Sequence, residues 1–301
     1  MKKMIFILIY SMILSLKAQA QCPSGYLACG DDCGTNCSWS ITEDGILSVW
    51  GNDEKNSGQI GIFERIKENG ITINTTAPWG VYINNIKNIE IQEGITNLGR
   101  FAFNNLESQN PIEIPSSVTS ITQGVFYWTR TPEVIIPNSI TKIDKSGFGY
   151  SSMTQITLPD SLTTIGDGAF RKTNLTSIEI PETVTSIGSL AFDRCYNLQS
   201  VILGENVTSI GADAFLNTSA YIYCQEGSGH GGKTCAELVQ NSGIEPRKLK
   251  IYTIENGKIK VGSKIYNSLD DLPKYTLKRI YTLEEANEAA GSVNRVSIRY
   301  R

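Results

Sequence analysis

Histidine is nearly absent: the chain of 301 residues contains one, His230. Imidazole is the commonest general acid or base and the commonest metal ligand, so most histidine-dependent catalysis and most histidine metal sites are excluded. Excess charge is lacking too, with 27 Lys and Arg against 30 Asp and Glu for a net charge of -3. A chain without a basic field offers no general attraction to nucleic acid. Long apolar runs are missing except at the start. There Lys2 and Lys3 precede a 13-residue run from Met4 to Leu16, and Ala18 and Ala20 supply the small side chains of a cleavage site. A transmembrane helix needs about 20 apolar residues, so residues 1–20 are expected to be a signal peptide cut after Ala20. Gln21 before Cys22 argues against lipidation. The mature chain is expected to be secreted or held at the cell surface, with no transmembrane segment.

Seven cysteines are present. Cys22, Cys29, Cys33 and Cys37 cluster near the mature N-terminus, Cys224 and Cys235 stand close together, and Cys195 is alone. In an oxidising compartment this distribution predicts two disulfides of open connectivity in the first cluster, a Cys224–Cys235 bond, and one buried thiol. The rival for the first cluster is a four-cysteine zinc site, but its spacings lack the C-x2-C knuckles such sites use. No metal is expected.

Most of what is there is repetition. "NIEIQEGITNLGRFAF", "PIEIPSSVTSITQGVF", "EVIIPNSITKIDKSGF", "QITLPDSLTTIGDGAF", "SIEIPETVTSIGSLAF" and "SVILGENVTSIGADAF" align at a period of 22 or 23 residues, ending on Phe103, Phe126, Phe148, Phe170, Phe192 and Phe215. In the fifth copy Ile178 and Ile180 alternate with Ser177 and Glu179, the period of a half-buried strand. Pro181 stops that strand because it has no amide proton for a ladder. "VTSIG" reads as a second short strand turned by Gly188, and "LAF" as a short helical turn. One copy buries about six apolar side chains worth ~1.5–3 kcal/mol each, against ~1–2 kcal/mol of backbone entropy for every ordered residue. Copies must therefore stack into one continuous core. Thr96, Thr119, Thr141, Thr163, Thr185 and Thr208 recur at one position and are expected to form a hydroxyl ladder, with the phenylalanines as core.

The pattern I-x-I-P-x-x-V-T-x-I-G-x-x-A-F resembles the leucine-rich repeats of the BspA-like surface proteins. "CGTNCSWSITEDGILSVWGND" and "APWGVYINNIKNIEIQEG" look like the segments that lead into those repeats, so the resemblance covers about residues 29–223. It implies a curved solenoid and a secreted or surface role in adhesion to host proteins or other cells, and it implies no catalytic residues and no cofactor. Gln92 and Gly204 depart from it by replacing the strand-ending proline, and "TQGVF" and "DKSGF" predict less regular second and third copies. The expected fold is an α/β repeat solenoid of short strands and short helical turns. It divides into a signal peptide (1–20), an N-terminal cysteine-containing cap (21–78), the solenoid (79–223), a disulfide-closed cap (224–246) and a small α+β tail module (247–301).

In leucine-rich solenoids the residues between buried strand positions face the concave surface. Here those columns hold Asn88, Pro111, Glu133, Gln155, Ser177 and Ser200, with Glu90, Glu113, Ile135, Thr157, Glu179 and Ile202 beside them. Carboxylates with exposed Ile135 and Ile202 form a mildly acidic face suited to an extracellular protein or glycan bearing some positive charge. A second reading makes the chain one layer of a surface coat. The tail shows a hairpin about Asn256-Gly257, a capping box from Thr282 to Glu285 with Gly291 as helix stop, and a final strand "RVSIRY".

One motif points elsewhere. Gly227 to Thr234, "GSGHGGKT", satisfies G-x-x-x-x-G-K-[ST], the phosphate cradle of nucleotide hydrolases. Its surroundings lack a parallel α/β sheet and an apolar run ending in a magnesium-binding Asp. A Cys224–Cys235 bond would account for a glycine-rich surface loop, so nucleotide binding is rejected. His230 is expected to be a solvated loop residue.

Overall fold

The computed structural model describes residues 22, 24–30, 33–51, 58–60, 65–68, 71–74, 77–226, 229–255, 258–267 and 271–272. The signal peptide, Gly227, the turn Asn256-Gly257, the helix from Thr282 and the strand "RVSIRY" lie outside the described residues.

Two columns of short parallel strands build the solenoid, and the N-terminal cap starts both. Tyr26–Gly30, Cys37–Thr42 and Ile46–Gly51 form an antiparallel meander. Its last strand pairs in parallel with Asn88–Ile91, setting Leu47 beside Ile89 and Val49 beside Ile91. All four side chains are buried, so the cap hands its apolar face directly to the first repeat. Gly58–Ile60 pairs in parallel with Ile95–Asn97 and opens the second column. Disulfides Cys22–Cys29 and Cys33–Cys37 tie the cap together. Sulfurs bonded to each other are not available as the thiolates a zinc site needs.

Inside the coils the phenylalanines form one stack. Trp79 heads it, 5.7 Å from Phe103 at an interplanar angle of 12°. Its indole N–H donates to the Ala102 carbonyl at 2.9 Å, which satisfies the only polar group of a fully buried ring. The centroids of Phe103, Phe126, Phe148, Phe170, Phe192 and Phe215 then follow at 5.6, 5.4, 5.4, 5.3 and 5.2 Å. A period of 22 or 23 residues keeps each ring over the last. The threonine ladder forms from Thr119 onward. The amides of Thr141, Thr163, Thr185 and Thr208 each donate to the carbonyl one coil back, and their hydroxyls reach the same carbonyls at 2.9 to 3.5 Å.

Three local features differ from the sequence expectation. Around "LAF" the helical turns take the form of paired tight turns. Phe101, Gly124, Ser146, Gly168, Leu190 and Asp213 have φ between 55° and 64°, and the residues four further along have φ between 58° and 62°. Left-handed backbone costs an L-residue roughly 1–2 kcal/mol. Neighbouring coils hold it in place through bonds such as Phe126 N–H to Gly147 O at 2.9 Å and Phe170 N–H to Ala191 O at 2.8 Å. Gly188 does not turn the chain through a positive φ. Its Cβ would lie 2.4 Å from the Asp167 backbone nitrogen, so glycine lets adjacent coils approach. The irregular copy is the fourth, where Gln155–Leu158 lack strand pairing. Ile156 and Leu158 stay buried there, so side-chain packing preserves the core without the ladder.

At the far end the first column continues past the repeats. Ser177–Glu179, Ser200–Ile202, Tyr221–Gln225 and Leu249–Glu255 run in parallel, and Lys258–Val261 and Lys264–Tyr266 extend the same six-stranded sheet antiparallel. Ile254 faces Ile259 across the hairpin. A second, smaller apolar cluster of Ile202, Tyr223, Tyr252, Ile259 and Leu272 covers the outward face of this sheet.

Candidate interaction surface and terminal loop

The described part of "GSGHGGKT" closes the second strand column. Lys233 Nζ donates to the Thr208 carbonyl at 2.7 Å, capping the last rung of the threonine ladder. His230 is buried, at 1% exposure, rather than solvated. Its ring fills the end of the core, with Nδ1 2.8 Å from the Val207 carbonyl and Nε2 3.4 Å from Cys224 Sγ. The Cys224–Cys235 disulfide sits above it, with Cα atoms 6.0 Å apart. Cys224, His230 and Cys235 place their ligand-type atoms within 4.8 Å of one another, but the sulfur pair is spent on the bond.

Beyond the loop, Thr234 caps the five-residue helix Cys235–Val239 through a reciprocal capping box with Glu237. The Thr234 backbone N–H, then its hydroxyl, hold the Glu237 carboxyl below the usual carboxylate range. A phosphate at this helix end would meet a carboxylate in the place that needs free amides. Lys233 and Thr234, the side chains the motif would offer to a nucleotide, are both committed to ending the stack.

Cys195 sits in the core, fully buried. Its thiol donates to the Phe170 carbonyl at 3.0 Å, and burial pushes its pKa up to about 11.

On the outward face of the first column, register sets Glu113 beside Ile135. Glu90, Glu113, Gln155, Thr157 and Glu179 are exposed, Glu133 and Ser177 are half-buried, and Ile135 is 45% exposed. Glu90 accepts from the Ser48 hydroxyl at 3.1 Å, so the cap braces the first carboxylate. The expected exposure of Ser200 and Ile202 is corrected: they are 5% and 9% exposed. The strand Leu249–Glu255 returns beside Tyr221–Gln225 and brings Tyr252 over Ile202. Proximity also brings in residues that sequence reasoning missed: Asp160, Glu182 and Glu205 from the loops, and Tyr252 and Ile254 from the tail, around one cavity of about 400 Å³. The alternation of "KIYTIE" marked a strand, and nothing in it named the strand it pairs with.

Residues 81–162 and 119–224 match the BspA type leucine rich repeat region in six copies. Residues 81–224 are a BspA-type leucine-rich repeat region. Among solved structures, this chain is similar to a leucine-rich repeat protein from Eubacterium ventriosum, at 18% identity and a TM-score of 0.51, over 68% of this chain and 63% of that one. A leucine-rich repeat protein from Bacteroides ovatus is similar at 20% identity and a TM-score of 0.42, over 75% of this chain and 68% of that one. A leucine rich cell surface protein from Faecalibacterium prausnitzii shares 18% identity at a TM-score of 0.29, over 67% of this chain and 76% of that one. The likeness to the Eubacterium ventriosum protein concerns the fold alone, and the chain spans under two thirds of that protein. No curated protein sequence matches. Among the described residues, no helix is long and apolar enough to cross a membrane.

Proposed function

We propose that this protein is exported and holds an extracellular protein or glycan on the outward face of its first strand column. One observation carries the reading: an exposed carboxylate and an exposed isoleucine lie in register on the outward face, Glu113 beside Ile135. Stacked repeats make such faces into extended binding surfaces. The three disulfides support an oxidising compartment, as does the signal-peptide pattern of residues 1–20. The geometry of Lys233 and Glu237 supports a binding role over nucleotide chemistry, because both groups serve the end of the solenoid.

The test is a binding screen of the mature protein against matrix proteins, mucins and neighbouring cells, with Glu113→Lys as the reporting variant. Loss of the partner on charge reversal is the expected result. Undiminished binding by Glu113→Lys, with the fold intact by circular dichroism, would overturn the reading.

A further inference from the structure

The outward face changes character where the tail returns to it. Glu179 lies in register beside Ile202, and Ile202 beside Tyr223. The next strand over sets Tyr252 beside Gln225. The cavity at this seam has a carboxylate rim of Asp160, Glu179, Glu182 and Glu205, and an apolar floor of Ile202, Ile254 and Tyr252. Its volume of about 400 Å³ falls within the ~300–1,000 Å³ typical of ligand pockets.

Two properties set the seam apart from an ordinary acidic surface. First, the rim is uncompensated: no ion pair involves any of its four carboxylates among the described residues. Lys250, the cation on the neighbouring strand, is turned to other work, donating to the Arg247 carbonyl at 3.2 Å and lying 5.2 Å over the Tyr221 ring. Second, Tyr252 is 3% exposed and lines the cavity, and among the described residues no hydrogen bond occupies its hydroxyl, which is not sealed from solvent. It therefore remains available to a ligand in the cavity. Burial, and then Glu205, Glu179 and Glu182, push the Tyr252 phenol up to about 12, so these carboxylates face the ring that floors the cavity.

The ligand chemistry follows from that division into rim and floor. A bound metal ion would need several oxygens converging on one point; among the described residues no such acidic group exists here. An anion is repelled, and a purely apolar group leaves the rim without a partner. What fits is an apolar stem that ends in a cation with several N–H donors, which is the shape of a lysine or arginine side chain. We propose that this cavity is a subsite for a lysine or arginine side chain presented by a partner protein. The assignment rests on the reading of the outward face as the partner surface and names what one end of that surface selects.

The experiment titrates the full mature chain with acetyl-Gly-Arg-Gly-amide and with its citrulline counterpart, which keeps the shape and removes the charge, and follows binding by NMR. Saturable binding of the arginine peptide is expected, with the citrulline peptide weaker by about tenfold. Glu179→Gln with Glu205→Gln should weaken the arginine peptide by a similar factor, and Tyr252→Phe by about threefold, since one hydrogen bond is lost. Glu43→Gln, exposed in the N-terminal cap and outside the cavity, should leave peptide binding unchanged. Equal binding of the two peptides, no saturable binding of either, or an equal loss on Glu43→Gln would each overturn the subsite. Outcomes for the two readings separate cleanly. A partner that depends on Glu113 while the arginine peptide fails to bind removes the subsite alone; peptide binding with no partner dependent on Glu113 removes the broader reading and leaves the subsite standing.

Discussion

Phe170 lies in the interior of the ring stack. It is fully buried, with Phe148 5.4 Å away on one side and Phe192 5.3 Å away on the other. Truncating a buried phenylalanine to alanine costs about 3–5 kcal/mol, and stacked aromatic contacts supply ~0.5–1.5 kcal/mol each beyond area. Phe170→Ala loses two such contacts, whereas Phe215→Ala loses only that with Phe192, so the end substitution should cost less by about one contact, ~0.5–1.5 kcal/mol. Total stability of a domain is about 5–15 kcal/mol, so the middle substitution removes a large share of it. Because each coil touches only its neighbours, stability along the stack is close to a sum of local terms. A gap at Phe170 should therefore uncouple the two halves. Urea unfolding read by tryptophan fluorescence, which reports the cap through Trp39 and Trp79, and by far-ultraviolet circular dichroism should coincide in the parent. In Phe170→Ala the two curves should separate. An unshifted midpoint in Phe170→Ala, or a larger loss in Phe215→Ala, would refute the picture of a single continuous stack.

Gly188→Ala should destabilise by about 1–3 kcal/mol, the usual cost of overpacking, because the added Cβ would press on backbone atoms of Gly166 and Asp167; thermal melting at the parental midpoint would show otherwise. Cys224→Ser with Cys235→Ser opens a loop whose ends are 11 residues apart and should cost about 3 kcal/mol, measured by urea denaturation under non-reducing conditions. The folded Cys195 thiol titrates at about 11 against an ordinary value of 9.0, so the unfolded chain releases this proton first. Its contribution is fully present below pH 9 and lost as pH rises through 11, which predicts a steeper fall in melting temperature over that window than Cys195→Ala shows. Magnesium ATP should leave the melting temperature unchanged, since Lys233 is engaged by Thr208; a saturable upward shift would restore the nucleotide reading.

What was legible in the sequence and what was not divide along one physical line. The phenylalanine and threonine columns were readable because each position is stated six times, and neighbouring copies supply one another's environment. Gly188 was visible as a required glycine but assigned to a turn, because tight turns and close backbone approach both demand the missing Cβ and a single sequence does not separate them. His230, Ser200 and Ile202 were misread for another reason. Each stands where a repeated column meets a segment that occurs once: the loop closed by the Cys224–Cys235 bond turns the His230 ring into the end of the core, Ser200 lies beside Tyr221, and Tyr252 packs with Ile202. Such a contact spans chain segments with no shared period, so nothing in the pattern announces it. The same condition makes those contacts the place where individuality can reside. A column of like copies presents like chemistry to every partner, and only an end can hold a feature used once. The uncompensated rim of Glu179, Glu182 and Glu205 around Tyr252 is such a feature, built from two repeats and a strand that belongs to neither. On the proposed reading, selectivity should therefore fail first on substitutions at that seam, and partner binding at large on substitutions along the column.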